Sequence, residues 1–144
     1  MFVKIDHVAV VVPDLDEAIK LYTECFGVEF YLRERNEDQG FEVAVFAVGE
    51  SHFELLSPTR ADSVISGFLK KRGPGIHHIG LGVQDIRTSI ANVKTIGLQL
   101  INEIPRPGTD GSLISFIHPK NLFGTMIELV EPRKKDHIHS SGYE

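Results

Sequence analysis

The chain has a single cysteine, Cys25, so it cannot form an internal disulfide, and the cross-linked scaffolds of small secreted domains are excluded. Cys25 sits among Leu21, Tyr22 and Phe26 in an apolar helical pattern, which predicts a buried thiol in a reducing compartment rather than a nucleophile. No apolar run approaches membrane-spanning length, and Asp6 and His7 interrupt the start of the chain before a signal-peptide core can form. A soluble cytoplasmic protein is therefore expected. Positive charge is also in short supply: 15 Lys and Arg stand against 20 Asp and Glu, a formal net charge of -5. The basic residues are scattered apart from Lys70, Lys71 and Arg72 and the group Arg133, Lys134 and Lys135, which argues against nucleic acid or an anionic membrane as partner. The 144 residues, 42% of them hydrophobic, suffice for one ordinary core and leave no room for a second large domain.

The chain repeats itself. Ile5-Asp6-His7-Val8-Ala9-Val10-Val11-Val12-Pro13-Asp14-Leu15 aligns with Ile76-His77-His78-Ile79-Gly80-Leu81-Gly82-Val83-Gln84-Asp85-Ile86, placing His7 on His78 and Asp14 on Asp85 at the same offset of 71. Phe26-Gly27-Val28-Glu29-Phe30 aligns with Ile96-Gly97-Leu98-Gln99-Leu100, and Phe53-Glu54-Leu55-Leu56-Ser57-Pro58 with Ile127-Glu128-Leu129-Val130-Glu131-Pro132. The offset drifts by a few residues between these blocks, which confines the length differences to loops, as two copies of one supersecondary unit require.

Each copy opens with a β-branched apolar run, Ile5 to Val12 and Ile76 to Val83, that predicts a strand. Asp14 and Asp85 are N-cap candidates for the helices that follow. Leu15, Ala18, Ile19, Tyr22, Cys25 and Phe26 recur at helical spacing up to Gly27, and Ile86, Ile90, Val93 and Ile96 up to Gly97, with each glycine in the C′ role. Three short strands follow in each copy: Val28 to Glu34, Glu42 to Val48 and His52 to Leu56, then Gln99 to Asn102, Leu113 to His118 and Thr125 to Val130. Between the copies, Ala61 to Arg72 carries Val64, Ile65, Phe68 and Leu69 at helical spacing and stops at Gly73-Pro74-Gly75. The expected fold is α+β: two paired βαβββ modules forming a cleft between curved mixed sheets. The expected domain spans residues 1–132, with module one at 3–60, a linker helix at 61–73 and module two at 74–132, followed by a polar tail at 133–144.

Pseudo-twofold pairing of such modules brings equivalent positions together, so His7, Glu54, His78 and Glu128 are expected to meet at one point. Two imidazoles and two carboxylates suit a borderline or hard divalent ion such as Zn, Co, Ni or Mn, with positions left for substrate or water. Taken singly, each residue is more simply an outward-facing strand position. The recurrence of the same two residue types at the same two places in both copies favours ligands. A carboxylate in the middle of an apolar run, as Glu54 and Glu128 both are, also calls for a partner. Strand alternation turns His77 to the opposite face from His78, making it a support for the site or a surface residue. His118 either touches substrate or caps a turn. His52, His137 and His139 are expected at the surface, and the segment from Arg133 to Glu144 is expected to fray.

The stretches Ile5-Asp6-His7-Val8-Ala9, Phe53-Glu54-Leu55-Leu56-Ser57-Pro58, Gly75-Ile76-His77-His78-Ile79, Glu103-Ile104-Pro105-Arg106-Pro107-Gly108, Phe116-Ile117-His118-Pro119-Lys120 and Gly124-Thr125-Met126-Ile127-Glu128-Leu129 resemble the vicinal-oxygen-chelate (glyoxalase/bleomycin-resistance) superfamily, and within it the methylmalonyl-CoA epimerases. The resemblance runs from residue 5 to residue 132. It implies metal ligation by His7, Glu54, His78 and Glu128, an acyl-CoA substrate, a homodimer, and interconversion of the (2R) and (2S) thioesters by proton abstraction alpha to the carbonyl through a metal-stabilised enolate. Glutamine is tolerated by the family where this chain has Glu54. Some epimerases carry a further glutamate where this chain has Val43, while Glu42 would face the other side, so the identity of the second base is open. On chemical grounds Glu128 is the first candidate for the base and Glu54 the second. The alternatives are a glyoxalase-type lyase or isomerase, a dioxygenase on the same scaffold, or a metal-free drug-binding resistance protein.

Overall fold

The computed structural model describes residues 2–134; the expectations for His137, His139 and the end of the tail fall outside them. The first module comprises β1 (Phe2–Val11), α1 (Leu15–Phe26), β2 (Phe30–Asn36), β3 (Phe41–Val48) and β4 (Ser51–Pro58). After α2 (Val64–Arg72), the second comprises β5 (Gly75–Val83), α3 (Ile86–Thr95), β6 (Arg106–Pro107), β7 (Leu113–Ile117) and β8 (Ile127–Glu131). The helix starts follow the predicted chemistry. Asp14 accepts from the Glu17 backbone N–H at 3.0 Å and Asp85 from that of Thr88 at 3.0 Å, each satisfying a donor left free in the first turn. At the end of α3 the Leu98 N–H reaches the Val93 carbonyl and the Gly97 N–H that of Lys94, so Gly97 stands at C′ of a Schellman turn. The linker helix starts at Val64 rather than Ala61, because Ser63 supplies the cap to the Ser66 N–H.

The two modules join edge to edge through β1 and β5, which run antiparallel. The strand order is β2-β3-β4-β1-β5-β8-β7-β6. The expected pair of curved sheets is thus one continuous eight-stranded sheet, curled into a half-barrel. Helices cover its outer face and part of its inner face. Leu15 and Ala18 of α1 pack on Ala44 and Leu55, and Ile86, Ile90 and Val93 of α3 pack on Leu100, Ile117 and Leu129. On the other face Val43, Val45 and Leu56 meet Ile65 of α2, while Ile114, Phe116 and Val130 form a smaller cluster. Burial on both faces is why these strands read as unbroken apolar runs.

Two expectations fail for local reasons. Gln99 to Asn102 does not form a strand: Leu100 makes an isolated bridge to Ile117, and the Asn102 carbonyl is taken by the Ser115 hydroxyl instead of a backbone N–H. The edge position goes to β6, which is two residues long because Pro105 and Pro107 cannot donate to a ladder. Cys25 is exposed. The buried stripe of α1 ends at Tyr22, and in the last turn Cys25 and Phe26 belong to none of the core clusters, with Phe26 66% exposed.

Candidate functional site

His7 on β1, His78 on β5, Glu54 on β4 and Glu128 on β8 come from four adjacent strands at the centre of the sheet. All project from the inner face, where alternation places Glu54 beside Leu56 and Glu128 beside Val130 while Leu55 and Leu129 face the helices. The structure therefore brings together all four residues singled out from the repeat. They are buried, with exposures of 3% for His7, 6% for Glu54, 6% for His78 and 5% for Glu128. His7 Nε2 lies 3.0 Å from His78 Nε2, 3.2 Å from Glu128 Oε1 and 3.6 Å from Glu54 Oε2. His78 Nε2 lies 3.6 Å from Glu128 Oε2. Donors that each sit about 2.0–2.2 Å from one divalent ion must lie roughly 3–4 Å apart, and these separations fall in that interval. The donor atoms of His7, Glu54 and His78 lie close enough to one another to hold one divalent cation, and Glu128 stands beside both histidines.

The electrostatics point the same way. Burial pushes the Glu54 carboxyl up to about 7; the charge of His7 opposes this, while Glu128, Asp6 and Glu34 add to it. Burial also disfavours the charged form of His7, but its hydrogen bonds to Asp6 and Glu128 and the charges of Glu54 and Glu128 raise its pKa well above the usual histidine value. His78 is held well below that value by burial and by the two neighbouring histidines. A proton on His7 therefore offsets an excess of negative charge that a divalent ion would neutralise more fully. Tyr31 senses the same field: burial and the charges of Asp110, Glu54 and Asp6 raise its hydroxyl to about 12.

The four residues lie in a cavity of about 1040 Å3 on the concave side of the sheet, at the upper end of the range for small-molecule sites. Val43 and Val45 form part of its wall, together with Ile65 of α2 and Arg106 from the β6 edge. Val43 is in the cavity, whereas Glu42 turns out to meet Arg33 at 2.9 Å, as alternation requires. His52 lines the cavity half-buried against Tyr31, contrary to its expected exposure, because β4 runs along the cleft floor beside β1. His118 caps a turn: its Nδ1 accepts from the Lys120 N–H at 3.1 Å, and it is absent from the cavity wall.

A match to the glyoxalase/bleomycin resistance protein/dioxygenase superfamily covers residues 6–116. The chain belongs to this superfamily. Ethylmalonyl-CoA/methylmalonyl-CoA epimerase of Cereibacter sphaeroides is 34% identical over 131 residues, covering 90% of this chain and 98% of that one. Methylmalonyl-CoA epimerase from Mycobacterium tuberculosis is 40% identical with a TM-score of 0.88, covering 92% of this chain and 90% of that one. A variant of Streptomyces coelicolor methylmalonyl-CoA epimerase in complex with 2-nitronate-propionyl-CoA is 36% identical with a TM-score of 0.89, covering 92% and 96%.

Two residues touching the histidines escape a strand-alternation argument. Asp6 is 6% exposed and its Oδ2 lies 2.8 Å from His7 Nδ1. His77, expected on the far face, lines the same cavity, with its Nδ1 2.8 Å from that of His78. The cause is a pair of irregularities in the β1–β5 ladder, between Ile5 and His7 and between Ala9 and Val10. They leave Asp6 and His77 as extra residues that the pleat no longer turns away.

Proposed function

We propose that this chain is a metal-dependent epimerase that interconverts (2R)- and (2S)-methylmalonyl-CoA, with His7, Glu54, His78 and Glu128 as the metal ligands. The carrying observation is the convergence of these two repeated pairs on one buried point in a cavity large enough for a thioester arm. The epimerase names of relatives at 34–40% identity over nine-tenths of the chain support the substrate class.

Epimerisation removes a weakly acidic proton alpha to the thioester carbonyl and returns one to the opposite face. When bound, a divalent ion of Co, Mn, Ni or Zn acts as a Lewis acid toward the charge that develops on the thioester oxygen. Glu54 and Glu128 do the proton work. They sit on β4 and β8, which flank the histidine strands β1 and β5 on either side, so one carboxylate faces each side of a substrate held between them. Glu128 is assigned as the base, and Glu54, on the opposite flank, as the group that handles the second proton. Val43, Val45 and Phe116 line the cavity and keep water from the carbanionic carbon, while Lys4, Arg106 and Arg133 on its wall are cations available to an anionic substrate.

We further assign residues 1–132 to a single domain with modules at 3–60 and 74–132, and expect a cytoplasmic homodimer. No described helix is long and apolar enough to cross a membrane. The decisive experiment is NMR of methylmalonyl-CoA in deuterated water with purified, metal-analysed protein. Epimerase activity exchanges the C2 proton. Metal-loaded protein that leaves C2 unexchanged would refute the reading, and protein without a stoichiometric ion would favour a drug-binding role.

A further inference from the structure

We propose that Asp6 and His77 are a pseudo-symmetric pair of positioning residues, each delivered by a β-bulge to accept the Nδ1 proton of the histidine that follows it, so that His7 and His78 present Nε2 to one common centre. The inference rests on the metal-site reading above and extends it to the residues behind the ligands. In a regular strand, neighbouring side chains point to opposite faces, and a residue cannot hydrogen-bond the ring of the next one. Both exceptions occur here, each one residue before a ligand histidine, and each coincides with a break in the β1–β5 register. One bulge lies on β1 and the other on β5, as the twofold relation of the modules demands, although the supporting side chains differ in type.

The geometry and the metal reading together assign the protons. The Asp6 carboxylate can only accept, so at 2.8 Å His7 Nδ1 is the donor. A histidine that offers the Nε2 lone pair to a cation carries its proton on Nδ1, so His78 Nδ1 donates to His77 Nδ1 at 2.8 Å. That leaves the remaining proton of His77 on Nε2, with its ring packed edge-on to Phe68 of α2 at 5.0 Å. The His7 ring lies against Gly80, where even a methyl group would collide with it. The two supports are unequal. An anionic acceptor behind His7 makes its Nε2 the stronger donor, and a neutral imidazole behind His78 makes the weaker one.

The test uses the full chain labelled with 15N and loaded with Zn2+, read by long-range proton–nitrogen correlation of the histidine rings and by chelator competition for the ion. Wild type is expected to show Nδ1 protonated and Nε2 metal-bound at both His7 and His78. Asp6→Asn, isosteric but uncharged, should weaken Zn2+ binding by about 10- to 100-fold and shift the His7 ring signals while leaving those of His78 in place. His77→Ala should do the reverse, with a smaller loss of affinity. A merely structural role would lower the thermal midpoint of the metal-free protein without a ring-selective change. Wild-type affinity in Asp6→Asn, or Nδ1 bound to the ion in wild type, overturns the proposal. Neither result depends on substrate: failure of C2 exchange with these signals intact would sink the epimerase reading alone. If wild type takes up no Zn2+, the metal-site reading fails, and His78 of the metal-free protein must still carry its proton on Nδ1 or the positioning role fails too.

Discussion

Gly80 offers the sharpest quantitative test of how the site is held. A Cβ built at this position meets the His7 ring, standing 2.5 Å from Nδ1 and 2.8 Å from Nε2, whereas carbon atoms rest comfortably at about 3.5–4.0 Å. Gly80→Ala therefore requires the imidazole to move by roughly an ångström. The ring cannot do so and keep its hydrogen bond to Asp6 at 2.8 Å and its 3.2 Å approach to Glu128. Forced overpacking of this kind destabilises by about 1–3 kcal/mol, and displacing a ligand should weaken metal binding at least as much as disturbing a residue behind it, about 100-fold or more. Gly82→Ala is the control on the same strand: its Cβ meets the flexible Lys4 side chain at 3.2 Å, so stability should stay within about 0.5 kcal/mol and metal affinity should not change. Urea denaturation of the metal-free proteins and Zn2+ competition against a chelator provide both numbers. Wild-type stability and wild-type affinity in Gly80→Ala would refute the claim that the glycine is dictated by the His7 ring.

Glu128→Gln keeps an oxygen for the ion but loses the proton acceptor, so part of the metal should remain while C2 deuterium incorporation falls by about a hundredfold to ten-thousandfold. Glu54→Gln should be the milder change, and the opposite order would reverse the base assignment. Metal binding should weaken as the pH falls through about 7, where Glu54 takes up a proton, because the ion must displace that proton and the one on His7. Both groups have raised pKa values in the folded protein, so their contribution to the stability of the metal-free fold is lost as pH rises, whereas His77 and His78, with lowered values, act in the opposite direction toward pH 6. The thermal gain from added Zn2+ should accordingly widen from pH 6 to pH 8, and a pH-independent gain would contradict the assignment. His118→Ala should lower stability by about 0.5–2 kcal/mol, as expected for loss of a cap, with metal content and C2 exchange retained. Loss of exchange at intact stability would place His118 at the substrate instead.

Much of this protein was legible in one dimension, because a duplicated unit writes its symmetry into the chain. The repeat paired His7 with His78 and Glu54 with Glu128, and the glycine and aspartate punctuation placed α1 and α3 correctly, since capping is decided within a few residues. The tertiary structure decided what depends on register. Whether Asp6 and His77 face their neighbouring histidines is set by two bulges in the β1–β5 ladder, which arise from how the modules meet and leave no mark in the alternation of either strand. The alignment pairs Ala9 with Gly80, but only the fold shows that His7 lies where a methyl at residue 80 would be. Cys25 and His52 were misplaced for a related reason: periodicity says which side chains share a face, and only the packed sheet says what covers that face and where the cover ends.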